Sequence, residues 1–347
     1  MPESIWVGMS GGVDSAVAAL ILSERGCDVT GVTLRLRENS GGDEEDARRV
    51  CEALAIPHVI LDLSDVFARE VTEPFVREYL SGRTPNPCVR CNRTIKFGAM
   101  LDAALAHGAD RLATGHYARV EQDAATGRHL LYRTDSSKDQ SYFLSRLTQH
   151  QLAHAVFPLA GMEKTKIREL AALHNLPVAS KSDSMEVCFI PPDIDGHSEY
   201  IEQHTSRPLP CGDFIDADGK NLGRHNGIAR YTVGQRKGLG ISLGQPMYVT
   251  KINAADNTVQ LGIEGSQFAA GLVASNINCI SWDGLPAEPV EITAKIRFRA
   301  PDAAATLTPL SHDRAQVDFH APVRAVSPGQ TVVFYDGDAV IGGGIIE

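Results

Sequence analysis

The chain has 347 residues, 43 % of them hydrophobic and 22 % charged, with a net charge of −10 and an isoelectric point near 5.6. That is the composition of an ordinary soluble protein, long enough for two or three domains with substantial cores. Its longest strongly apolar run, residues 16–22, is far too short to span a membrane, and Met1-Pro2-Glu3-Ser4 carries no positive leader, so a cytoplasmic protein without a membrane partner is expected.

From the N-terminus, apolar runs at Ile5–Met9, Val29–Arg35, His58–Leu63 and Arg111–Thr114 read as strands. They alternate with helical patterns at Ala16–Arg25, Asp43–Leu54, Val66–Leu80 and Ile95–His107. Such alternation predicts an α/β fold, a doubly wound parallel sheet with helices on both faces. Ligands of such sheets bind at the carboxyl ends of the strands, where Gly11, Leu34 and Gly115 fall. Between the first strand and the first helix lies Ser10-Gly11-Gly12-Val13-Asp14-Ser15. A glycine turn feeding a helix N-terminus aims backbone N–H groups and the positive end of the helix dipole at an anion. The loop has neither the lysine and spacing of the G-x-x-x-x-G-K-[ST] phosphate loop nor the glycine pattern of dinucleotide folds. Asp14 suits either capping of the helix or placement of Mg²⁺.

Residues 118–121 and 128–133 read as a hairpin through Thr126-Gly127, and Lys164–Asn175 as a helix. Pro191-Pro192-Asp193 looks like a break. From about residue 199 turns of Gly, Asn and Asp become frequent, including Gly342-Gly343-Gly344. Short alternating runs separate them at Pro246–Ile252, Thr258–Leu261, Val290–Phe298, Gln316–Phe319 and Thr331–Tyr335. This predicts a catalytic domain over 1–198, a small linking domain over 199–270 and a β-barrel over 271–347.

Seven cysteines are an odd count, and in a reducing compartment they are no disulfide framework. Cys27, Cys51, Cys211 and Cys279 read as core or turn residues. Cys88 and Cys91 stand at C-x₂-C spacing within Gly82-Arg-Thr-Pro-Asn-Pro-Cys-Val-Arg-Cys-Asn-Arg-Thr-Ile-Lys-Phe97, and two prolines hold off helix until about Cys91. Arg83, Arg90, Arg93 and Lys96 would favour thiolate and suit phosphate contacts. The acidic net charge means that any RNA contact must come from local basic patches of this kind. The pair alone reads as a redox couple, half of a zinc site with His116 as a candidate ligand, or part of an iron–sulfur site. A third thiol, Cys188, follows Ser184-Met185-Glu186-Val187.

In combination these stretches resemble the tRNA-specific 2-thiouridylases, a family of ATP pyrophosphatases, along nearly the whole chain. The matching pieces are Gly8–Ser15, Gly82–Pro87, Cys91-Asn92, Ala113–Tyr117, Lys138–Leu144, Val187–Ile190 and Tyr231–Gly240. The resemblance implies ATP-dependent adenylation of O2 of the wobble uridine of tRNA and its replacement by sulfur. It implies ATP contacts from Gly8, Met9, Ser10, Gly11, Gly12, Val13, Asp14, Ser15, Leu34 and Gly115, with Mg²⁺ beside the phosphates. Cys91 matches the nucleophile and Cys188 the persulfide carrier. Asn86, Pro87 and Cys88 match the segment that faces the target base. His116, Lys138, Asp139, Gln140 and Gln330 match tRNA contacts, as does a basic–aromatic stretch with Arg297 and Phe298 in a barrel strand. The glycines of 234–240 suggest close approach to RNA. Wobble-uridine tRNAs for Lys, Glu and Gln are the family's expectation, with sulfur from a cysteine desulfurase, a relay protein or free sulfide.

One position departs from the family. Cys88 stands where its commoner sequences have Asp, so Cys88, Cys91 and Cys188 form a three-cysteine set. Three thiolates holding a [4Fe–4S] cluster leave one iron open for hydrosulfide, which gives Cys88 a purpose that a Cys91–Cys188 persulfide relay does not. The rival readings are an amidotransferase or ligase on the same ATP loop, and a non-enzymatic RNA-binding iron–sulfur protein.

Overall fold

The computed structural model describes residues 1–37, 42–182, 187–191 and 193–347. The expected break at Pro192 and the residues 183–186 before the third thiol lie outside the described residues. Five parallel strands form the first sheet in the order His58–Asp62, Asp28–Arg35, Ser4–Gly8, Arg111–Ala113, Ala155–Val156. The first strand is central, so it is buried on both faces and its sequence Ile5-Trp6-Val7 is continuously apolar. One face packs on Val13–Glu24 and Lys164–Leu173 through Ala16, Leu20, Ile167 and Ala171. The other packs on Phe97, Met100, Leu101 and Ala104. Strand order reverses beside Ser4–Gly8, and the crevice at that point is where such sheets bind ligands.

The helical run 87–106 begins earlier than the prolines suggest. Asn86 is its N-cap, its side-chain oxygen accepting from the Val89 N–H at 3.2 Å, and Pro87 occupies the first turn. Proline there has no hydrogen bond to lose and a backbone angle already suited to helix. Residues 92–100 continue as a π-helical stretch.

Four strands, Tyr248–Asn253, Thr258–Gly262, Gly212–Ile215 and Asn221–His225, make a second small sheet. The last unit is a closed antiparallel barrel of Phe268–Cys279, Val290–Lys295, Ala303–Pro309, Ala315–Arg324, Thr331–Asp336 and Ala339–Ile346, sealed by pairing of the first with the last. Gly342, Gly343 and Gly344 are not a turn but lie inside the final strand. Cβ atoms there would strike the backbone of Asn278, Val332 and Ser275, so only glycine lets the strands meet. The hairpin Arg119–Gln122 and His129–Tyr132 joins this barrel's sheet, Leu131 and Tyr132 pairing with Val340 and Ala339. The expected border at 198 thus cuts the sequence but not the sheet.

Residues 82–84 meet both smaller units. A Cβ on Gly82 would meet Ile252 of the small sheet at 2.8 Å, and the Thr84 N–H donates to the Pro328 carbonyl of the barrel at 2.7 Å. The segment leading into Cys88 is therefore held against both of them.

Candidate nucleotide and thiol site

The loop 9–12 leaves the central strand and turns directly into Val13–Glu24. Gly11 has φ +68°, and a Cβ would lie 2.5 Å from the Asp43 carbonyl oxygen, so the turn requires glycine. Ser15 Oγ donates to the Gly12 carbonyl at 3.0 Å and accepts from the Ser10 N–H at 3.2 Å. The N-cap residue, Gly12, offers no side-chain cap. The first-turn N–H groups thus point into the crevice without a capping acceptor, an arrangement that suits a phosphate. Gly115, at the end of the neighbouring strand, packs on the same turn: a Cβ would lie 2.8 Å from both Asp14 C and Ser15 N. Gly8 and Met9 stand at the end of the central strand, and Leu34 lies near the end of its neighbour Asp28–Arg35.

Asp14 neither caps the helix nor stands open for a metal ion. Its carboxylate accepts from Lys164 Nζ at 2.8 Å on both oxygens and from the Tyr117 hydroxyl at 2.6 Å. Sequence reasoning missed Lys164. The absence of a lysine from the loop was visible, but Lys164 reaches Asp14 from 150 positions away, on a helix known to face the sheet only once the fold is known. The backbone N–H groups fit ATP phosphates; the Asp14 oxygens, already engaged, give Mg²⁺ no ready ligand.

Cys88 and Cys91 share one face of the helix that Asn86 caps. Cys91 is buried and Cys188 exposed; Cys88 keeps exposed surface although protein crowds its sulfur. Burial pushes the Cys91 thiol up to about 12 and raises Cys88, against an opposing pull from Lys96. Flanking charge was expected to favour thiolate, but desolvation outweighs it here. Two of the four cations are also engaged elsewhere, Arg83 by Glu78 and Arg90 by Glu70. Cys91 also feels the charges of Cys88 and Cys188, so the three thiols share one electrostatic neighbourhood. Among the described residues, however, no three His, Cys, Asp or Glu side chains are grouped to hold a metal ion. As placed, the thiols do not fit a cluster, and a zinc site with His116 finds no support either.

His116 links the two halves. It follows Gly115, accepts or donates at 2.7 Å with Thr114 Oγ1, and stands among Phe97 and Phe157. Burial, aided by Lys96, holds its pKa well below 6.5. The same Lys96 acts on Cys88, Cys91 and His116, and His116 follows the Gly115 that packs on the nucleotide loop.

The positions expected to contact RNA are more occupied than their sequence suggests. Asp139 accepts from the Thr134 N–H and Ser141 Oγ, and Gln140 binds the Tyr117 backbone through both its side chain and its N–H. Lys138 lies beside them in the same turn. Arg297 and Phe298 lie beyond the strand, which ends at Lys295. Arg297 donates to the Ala325 carbonyl, and the Phe298 ring packs 4.5 Å from that of Phe143. Gln330 is bound through its backbone to Ser327 and Ile346. Gly234 approaches protein, not an open groove: a Cβ there would collide with Ala325.

Fold and loop together define an α/β nucleotide-binding protein, and the family model described as tRNA methyl transferase HUP domain matches residues 3–192. Models for a tRNA methyl transferase PRC-barrel domain and an aminomethyltransferase β-barrel domain match 198–262 and 270–346. The tRNA-specific 2-thiouridylase of Clostridium beijerinckii is 47 % identical over 100 % of this chain and 99 % of its own. Those of Heliobacterium modesticaldum and Acetivibrio thermocellus are 48 % and 46 % identical, covering 100 % and 99 % of this chain and 93 % and 99 % of theirs. The chain belongs to the tRNA-specific 2-thiouridylase family. Among the described residues no helix is long and apolar enough to cross a membrane.

Proposed function

We propose that this protein replaces O2 of the wobble uridine of tRNA with sulfur at the expense of ATP. The observation that carries the reading is the uncapped helix N-terminus at Gly12, with Gly115 packed against its first turn. Full-length identity to proteins named for this reaction supports it.

ATP phosphates lie against the N–H groups of the loop 10–15, with Lys164 as the nearby cation. The target base leaves the stack, since a base edge is unreachable within it, and enters between the loop and the segment Asn86–Cys88. O2 attacks the α-phosphorus, pyrophosphate leaves, and the oxygen becomes part of an AMP leaving group. The terminal sulfur of a Cys188 persulfide then attacks C2 and AMP departs. Cys91 attacks the Cys188 sulfur, freeing the thiocarbonyl and leaving a Cys91–Cys188 disulfide for a thiol reductant to reset. The exposure of Cys188 suits loading by a cysteine desulfurase or relay protein, and the burial of Cys91 protects it from outside thiols. Wobble-uridine tRNAs for Lys, Glu and Gln are the substrates to test first.

The composition of the thiol set suits a [4Fe–4S] cluster, which would supply hydrosulfide at an open iron, but its arrangement does not, and the thiols alone complete the transfer. Single-turnover thiolation of unmodified tRNA under anaerobic conditions, with iron measured in the same sample, tests both points. Thiolation by persulfide-loaded, iron-free protein is expected. Activity that tracks iron and acid-labile sulfide would replace the relay with a cluster. Thiolation without ATP cleavage would overturn the reaction itself.

A further inference from the structure

We infer that Arg93 and Arg146 form a clamp for a phosphodiester of the substrate RNA, beside the nucleotide being modified. The inference rests on the reading of RNA as substrate. Arg93 follows Cys91 by two residues, about 3 Å along the helix axis, and Arg146 approaches the same seam from the loop after Ser141–Leu144. Two hydrogen bonds fix the seam: Asn92 Nδ2 to the Phe143 carbonyl at 3.1 Å, and Gln151 Nε2 to the Arg93 carbonyl at 2.8 Å. A third, Arg146 Nη2 to the Asn276 carbonyl at 2.8 Å, ties the barrel to it.

Three guanidinium groups meet here. Arg90 and Arg93 are i, i+3 neighbours, and both act on Arg146 as like charges. Arg90 is answered by Glu70. Among the described residues no acid and no hydrogen-bond acceptor answers the Arg93 guanidinium, and Arg146 Nε is buried without a partner. Crowding like charges in a half-buried seam is unfavourable unless an anion completes it. A chain of net charge −10 has carboxylates to spare for such a place and uses only one. Arginine's fork geometry matches phosphate oxygens in pairs. ATP is not the anion, because its phosphates have the loop 10–15. Lys96, whose charge acts on the thiols and His116, is not counted in this clamp.

The test measures affinity for unmodified tRNA between 50 and 400 mM salt for the wild type, Arg93→Gln, Arg146→Gln, the double variant and Arg93→Lys. Each lost arginine should weaken binding about tenfold and flatten the slope of log affinity against log salt by about one unit. Arg93→Lys should keep most of both, and nucleotide binding without RNA should be unchanged throughout. A purely structural Arg146 would lower thermal stability and leave the salt slope alone. Unchanged affinity and slope in the Arg93→Gln protein would overturn the clamp while leaving the thiolation reading intact. A loss of nucleotide binding would reassign the anion to ATP. Wild-type protein that releases no pyrophosphate with tRNA would instead remove the reading on which the clamp rests.

Discussion

Replacing Lys164 by Met keeps the apolar stem and removes only the ammonium. That ammonium lies 2.8 Å from both Asp14 oxygens, with 14 % of the Lys164 side chain and 33 % of the Asp14 side chain exposed. Breaking a fully buried pair from one side costs about 3–5 kcal/mol. Water reaches Asp14, and the Tyr117 hydroxyl still donates to it, so about 1–2 kcal/mol of stability is expected to go. At about 2–4 °C per kcal/mol, melting should fall by no more than about 8 °C. The chemical step should suffer more. Removing one preorganised donor from a site of developing charge costs about 10²–10³-fold in turnover. The assay is pyrophosphate release at saturating tRNA, with tRNA affinity measured separately. Lys164→Met should lose about a hundredfold in release and nothing in tRNA affinity, and Lys164→Arg should recover part. Wild-type release by a folded Lys164→Met protein would refute the claim that the lysine missing from the loop is supplied by the distant helix.

Other consequences follow from the same geometry. Gly115→Ala places a methyl 2.8 Å from Asp14 and Ser15 backbone atoms that cannot swing aside; overpacking of this kind costs about 1–3 kcal/mol. It should weaken nucleotide binding while sparing tRNA affinity, as equilibrium titration of each ligand will show. Cys91→Ala and Cys188→Ala should lose 2-thiouridine formation yet keep pyrophosphate release, and Cys88→Ala should keep both. Mass spectrometry of the nucleosides decides this, and loss of thiolation in Cys88→Ala would bring that thiol into the sulfur step. Burial holds the imidazoles of His58, His116, His129, His197 and His225 below 6.5. In the unfolded chain they take up protons near pH 6.5, so stability is complete above that value and is lost as pH falls through it. Urea midpoints should drop between pH 6.5 and 5, less steeply for His116→Gln; a flat profile would contradict the burial argument.

Much of the catalytic sheet was legible because its strands and helices each carry their own apolar period. The fifth strand, Ala155–Val156, was not, for two residues show no periodicity. The helix start at Pro87 was misjudged because proline was read as a breaker when Asn86 before it makes it an N1 residue. In the barrel, Ala303–Pro309 and Ala339–Ile346 were missed, since a run of three alanines in one and of three glycines in the other breaks the alternating pattern. The loop 10–15 and the cysteine spacings were local signals and could be read directly. The Asp14–Lys164–Tyr117 network and the seam between Arg93 and Arg146 join elements far apart in sequence, so only packing reveals them. Thiol reactivity was misread for a related reason: flanking cations are visible in sequence, but the burial that outweighs them is not.

The most direct measurement follows one turnover with unmodified tRNA and ATP labelled at the α-phosphorus, quenched in time and resolved for AMP, ADP, pyrophosphate and 2-thiouridine. AMP and pyrophosphate should appear in equal amounts, with one 2-thiouridine for each AMP released. ADP with inorganic phosphate, or 2-thiouridine formed while ATP stays whole, would contradict the account.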